Sequence, residues 1–152
     1  RAAVVAASSL LVALVLTACG SPGTAGSRDL TVTADITIND PWARPAPAGD
    51  NSAAYFEIRN GAAEADTLTG VSADVADMVG VHQSRVEDGI VKMEHVESLV
   101  IPAGESVTLE PGGYHVMIMG LRRDLQVGET FQLDLHFERA GTVTVDVAVR
   151  EP

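Results

Sequence analysis

The sequence predicts an all-β domain, an antiparallel Greek-key sandwich or barrel of about nine short strands. Three observations carry that prediction. Apolar and polar residues alternate with a period of two in segment after segment. Turn signals built from Gly, Pro, Asn and Asp separate these segments, roughly every 8–12 residues. Beyond the first thirty or so residues, no stretch keeps a helical apolar period for more than about a turn or two.

The start of the chain reads differently. Ala2 to Leu16 is an unbroken run of Ala, Val, Leu and Ser behind Arg1. It is shorter than the roughly 20 apolar residues a spanning helix needs, and reads as a secretory signal peptide over residues 1–18. The run ends in Leu16-Thr17-Ala18-Cys19, which resembles the lipobox of bacterial lipoproteins. That resemblance implies lipidation at Cys19, the only cysteine, and a protein anchored to the extracytoplasmic face of a membrane, in the periplasm or on the cell surface. Residues 19–29 then form a Gly/Ser/Thr/Pro tether with a span of roughly 20 Å or less. The third segment, residues 30–152, is one domain of ordinary size.

Its elements follow in order. Val32, Ala34, Ile36 and Ile38 alternate with Thr31, Thr33, Asp35 and Thr37, a half-buried strand. Asn39 to Gly49 carries three prolines and reads as a long connection in which Trp42 packs as a lid on the core. Ser52–Asn60 and Thr67–Val75 are the next strands. Met78–Val86 and Ile90–Val96 flank Glu87-Asp88-Gly89, and Asp-Gly between two such runs is a strong hairpin signal. With Asp88 and Gly89 at the centre of the turn, His82 faces His95, and Met93 lies diagonally from His82 on the same side. Ile101 to Gly104 is a turn, Ser106–Leu109 a short strand, and Glu110 to Gly113 another turn. Tyr114–Met119 follows as a strand that places His115, Met117 and Met119 on one face, because strand side chains alternate. Two further alternating strands, Phe131–Glu138 and Val143–Arg150, close the domain.

The segment from His82 to Met117 carries the chemistry. Ten residues separate His82 from Met93, 21 separate Met93 from His115, and one separates His115 from Met117. Taken singly, each is weak evidence. A strand methionine is usually core filler, and a histidine in a β-protein is usually a hydrogen-bonded or surface group. His136, on the polar side of its strand, and Met78, expected in the core, are of that kind. Jointly, two imidazoles and two thioethers from about three strands make a soft, neutral donor set, and such sets select Cu(I) over harder divalent ions. Zinc fits less well, because its structural sites use thiolate, imidazole or carboxylate. His95 and Met119 share faces with the four donors and are possible additional metal ligands. The bland alternative is a lipid-anchored β-sandwich interaction module with no metal, its Met and His residues scattered through the core.

Charge and cysteine count exclude other classes. Setting Arg1 aside, nine basic residues face 21 acidic ones, a formal charge of −12. Nucleic-acid binding needs basic patches that release phosphate counterions, so none is expected. One cysteine at the lipid-bearing position leaves no thiolate for a blue-copper site and no thiol pair for exchange. No nucleophile elbow, paired acid–base signature or open His-rich site points to an enzyme.

The spacing His-x10-Met-x21-His-x-Met resembles the signature of the PCu(A)C family of periplasmic copper chaperones. Trp42-Ala43-Arg44, Asn51 to Tyr55, Asn60-Gly61, Ile101 to Gly104 and Pro111 to Leu121 match the surroundings of that signature, so the resemblance covers roughly Ile38 to Arg150. It implies a cupredoxin-like β-barrel that binds one Cu(I) through His82, Met93, His115 and Met117. It further implies delivery of that ion to the binuclear copper centre of a cytochrome c oxidase subunit, or to a thiol-bearing assembly factor of the Sco type.

Overall fold

The computed structural model describes residues 35–152 together with the backbone of Val32 and Thr33. The proposed signal peptide, the tether and Cys19 lie outside the described residues. The domain is all β, with no helix among the described residues.

Eleven strands form: β1 (Val32–Thr33), β2 (Ile36–Ala43), β3 (Ser52–Asn60), β4 (Asp66–Ser72), β5 (Ala76–Glu87), β6 (Ile90–His95), β7 (Leu99–Ile101), β8 (Ser106–Leu109), β9 (Tyr114–Leu121), β10 (Thr130–Phe137) and β11 (Gly141–Val149). The hydrogen-bonded path runs β6-β5-β9-β8-β3-β2-β11-β10-β4-β7 and stays open, with β1 on β2 and an extra pairing of β9 with β3. Of the sandwich and the closed barrel, the chain therefore takes the sandwich. Most pairings are antiparallel. Two short ones, β11 with β2 and β8 with β9, are parallel.

Alternation builds the core as expected. Phe131, Leu133, Leu135 and Phe137 of β10 and Val143, Val145, Val147 and Val149 of β11 all point inward. They meet Ile36 and Ile38 of β2, Phe56 and Ile58 of β3, and Val116 and Ile118 of β9. These side chains drive the folding, since apolar surface removed from water contributes roughly 25 cal/mol per Å².

The count exceeds nine for two local reasons. The first predicted strand is a hairpin, with Val32 opposite Thr37 and Thr33 opposite Ile36. Leu99–Ile101, of which only Ile101 is placed by the sequence, in a turn, pairs with β4 through Leu68 to Asp66. A further correction concerns Asn39 to Ala43, expected as connection. β2 runs through Pro41 because the ladder with β3 is interrupted between Asn39 and Trp42. Asp40 there has φ +50°, and a bulge tolerates a proline that an unbroken ladder would not. The Asp40 carboxylate is held by the Arg150 guanidinium at 2.6 and 3.1 Å.

Asp66 anchors the end of the domain that carries the β10–β11 turn. Its buried carboxylate accepts from the backbone N–H of Thr67, Arg139 and Ala140 at 2.7, 3.0 and 2.9 Å, tying β4 to the β10–β11 turn. Both oxygens accept, so Asp66→Asn must turn an amide NH2 onto a backbone N–H. We expect a loss of about 1–3 kcal/mol, read as a lower urea midpoint at unchanged m-value. An unchanged midpoint would mean that these bonds do not hold the turn.

Candidate metal centre

Three adjacent strands at one edge of the sheet, β6, β5 and β9, carry the candidate donors. The β5–β6 hairpin closes through Asp88 (φ +53°) and Gly89 (φ +78°), the two left-handed residues of a type I′ turn. That turn sets the register: Glu87 opposite Ile90, Ser84 opposite Met93, and His82 opposite His95. On the other side of β5, His82 pairs with His115, Gly80 with Met117, and Met78 with Met119. Directly paired residues share a face, and the period of two carries that face along each strand. His82, Met93, His115 and Met117 therefore all stand on one face, and so do His95, Met119 and Met78.

Burial differs sharply among them. His115 is 4% exposed, Met117 is half-buried, His82 is half-buried, and Met93 is 50% exposed near the sheet edge. Met93, His115 and Met117 line a cavity of about 370 Å³ together with Tyr55, Ser84 and Arg44. His82 does not line it. Its ring is stacked against His115, with centroids 6.1 Å apart and planes 25° apart. The floor of the cavity is β3, where Ala53 sits opposite Met117. The small side chain of Ala53 leaves the room that the candidate donors face.

Backbone carbonyls set which nitrogen of each ring is free. His115 Nδ1 lies 3.1 Å from the Gly113 carbonyl, and His82 Nδ1 lies 3.3 Å from the Gly80 carbonyl. A carbonyl only accepts, so Nδ1 donates there, and Nε2 is the nitrogen left to face a metal. This is the outer-shell arrangement that orients a metal-binding imidazole. Tyr55 packs 6.5 Å from His115 on the side away from His82, and Trp42 packs on Tyr55 with centroids 4.7 Å apart and planes tilted by 39°. Trp42 is thus half-buried against Tyr55, with Arg150 5.1 Å over its ring, rather than a lid on the main core.

Among the described residues, no group of three His, Cys, Asp or Glu is gathered closely enough to hold a metal. The imidazoles alone do not make a ready-formed site, and the thioethers are the further donors on the same face. His136 is accounted for separately, with Nε2 3.0 Å from Ser72 Oγ and Nδ1 3.1 Å from Thr142 Oγ1. Met78, expected in the core, is 62% exposed opposite Met119. Sequence reasoning passed over Gly80. An isolated glycine inside a strand signals close approach of another group, and here the rings of His82 and His95 pack over it.

The profile of the family described as "Putative lipoprotein LpqE-like" matches residues 36–149. The chain belongs to that family. The LpqE-like family is of PCu(A)C type, as the resemblance read from the donor spacing implied. A relative from Leifsonia xyli subsp. xyli, named "Putative lipoprotein Lxx21020", is 29% identical over 117 residues, which is 76% of this chain and 70% of the relative. Among solved structures, the copper-bound PCuAC domain from PmoF2 is 29% identical, with a TM-score of 0.68 over 82% of this chain and 99% of that domain. The Cu(I) form of DR1885 from Deinococcus radiodurans is also 29% identical, with a TM-score of 0.60 over 77% of this chain and 80% of that protein. The architecture shared with these structures is the cupredoxin-like β-sandwich.

Proposed function

We propose that this protein is an extracytoplasmic copper(I) metallochaperone, in which His82, Met93, His115 and Met117 hold one Cu(I) as cargo. The observation that carries this reading is the common face. Four soft or borderline donors, spread over 36 residues of chain, are brought by one hairpin register to neighbouring positions on three strands. The copper content of the PmoF2 and DR1885 structures supports the same reading.

The chemistry suits a carrier. Neutral ligands leave the bound ion with a single positive charge, which an open cavity near the surface tolerates. A thioether has no proton to lose, so copper competes with H⁺ only at the imidazoles. Thioethers also cannot be lost to disulfide formation outside the cell. His115 and Met117 sit on β9, the innermost of the three strands, as a firm base, whereas Met93 stands on the exposed edge strand β6. An acceptor reaches Met93 first, so release proceeds by stepwise ligand exchange from that side. On this reading the protein is a carrier and not an enzyme.

Export and lipid anchoring at Cys19, the segment division at residues 18 and 29, and delivery to a recipient belong to the same proposal. The name "lipoprotein" in the family description and in the Leifsonia relative supports the anchor. The recipient is a copper-accepting protein, either the cytochrome c oxidase subunit with the binuclear copper site or a Sco-type factor.

The test is Cu(I) titration of the metal-free protein against a chromophoric chelator. One equivalent should bind, and adding the acceptor domain should draw it away. Failure to bind a stoichiometric equivalent would return the chain to a metal-free interaction module.

A further inference from the structure

The β5–β6 hairpin ends the sheet and leaves β6 with one free edge. The type I′ turn decides which backbone groups face it. Residues flanking such a turn form a hydrogen-bonded pair, and bonded and non-bonded pairs then alternate along the ladder. Ile90, Lys92 and Glu94 therefore bond to β5, and the Val96 N–H, 2.8 Å from the Val81 carbonyl, continues that parity. Val91, Met93 and His95 turn their N–H and C=O outward, and among the described residues no strand pairs with them. Edge strands are ordinarily blunted by shortness, a proline, a bulge or a charge. β6 has six residues, no proline, and an unbroken register with β5. All of it is exposed, Ile90, Val91 and Met93 included. Lys92 is a charge on the edge, but Glu94 stands two residues away on the same face, so the strand carries both signs.

We propose that β6 is a self-recognition edge, on which β6 of a second copy pairs antiparallel about a two-fold axis at Met93. The charges choose that register. Centred on Met93, Lys92 lies opposite Glu94 of the second copy, and the two-fold axis repeats the pair. Centred one residue earlier or later, Lys92 meets Lys92 or Glu94 meets Glu94, and like charges directly opposite are destabilising. On the donor face the same register sets Met93 against Met93 and Val91 against His95, with no like charges opposed. The pairing uses the edge and leaves the donor face uncovered, so the cavities lined by Met93 lie on either side of the axis. The contact is small, and each full chain carries a formal charge of −11. The dimer is therefore transient, with a Kd on the order of 100 μM in about 0.15 M salt, which screens the long-range repulsion.

Sedimentation equilibrium of the metal-free full chain tests this, with circular dichroism as the check on folding. The wild type should pass from monomer to dimer as concentration rises through that range. Lys92→Glu and Glu94→Lys should each weaken self-association by about tenfold or more, because each sets like charges opposite one another twice. Mixed together, the two variants should associate with one another, since every charge then meets its opposite. A chain carrying both substitutions should dimerise again. Within one chain the double reversal sets like charges beside Glu87 and Arg85, the present partners of Lys92 and Glu94. Recovery therefore reports a contact between copies and not a repaired hairpin. A wild type that stays monomeric up to about 1 mM would overturn the proposal. So would association that Lys92→Glu leaves unchanged, which places the contact elsewhere on the chain, or a folded double variant that stays monomeric.

Discussion

Replacing Met93 and Met117 together by leucine is expected to abolish stoichiometric Cu(I) binding while the protein stays folded. Leucine for methionine nearly conserves volume and usually costs less than about 1.5 kcal/mol even in a core. Neither residue is in the buried core here: Met93 is 50% exposed and Met117 borders the cavity. What the change removes is sulfur. Two imidazoles alone hold Cu(I) less tightly, and they lose the preference over harder ions that thioethers confer. Chelator competition measures the binding, and circular dichroism with urea unfolding measures the fold. Retained one-to-one binding in a folded variant would contradict the ligand assignment.

His115→Ala is expected to act on both copper and stability, unlike the methionine pair. His115 is buried, bonded to the Gly113 carbonyl, and packed between Tyr55 and His82. Truncating it leaves a carbonyl without its partner and opens a void, a loss of about 1–3 kcal/mol. The larger signal is metal-linked. A ligand that binds only the folded state stabilises it by about 4 kcal/mol at a free concentration of 1,000 times Kd. Wild type should gain on that scale when Cu(I) is supplied, and His115→Ala should gain little. Urea midpoints with and without Cu(I) measure this directly. Equal metal-linked gains in the two proteins would show that His115 is structural only.

The donor face was legible in the sequence because few physical rules stand between pattern and position. Asp88-Gly89 demanded a two-residue turn, that turn fixed the pairing of His82 with His95, and alternation carried the face to Met93. The pairing of His82 with His115 was not legible, because it joins strands distant in sequence and depends on packing of the whole sandwich. For the same reason Met78 reads as core in the sequence, like any strand methionine, whereas in the fold it stands exposed opposite Met119. The continuation of β2 through Pro41 was hidden by the usual reading of proline as a breaker, which a bulge at Asp40 circumvents. Gly80 gave a local signal of close approach, but the group that approaches it, His95, becomes visible only once the hairpin folds.

Everything about the carrier depends on sulfur and nitrogen from separate strands meeting at a single monovalent ion. X-ray absorption at the copper edge of the Cu(I)-loaded protein tests that most directly. The account predicts two sulfur and two nitrogen neighbours, with the sulfur signal lost in the Met93→Leu, Met117→Leu protein. A first shell of nitrogen and oxygen alone, unchanged by that double substitution, would contradict it.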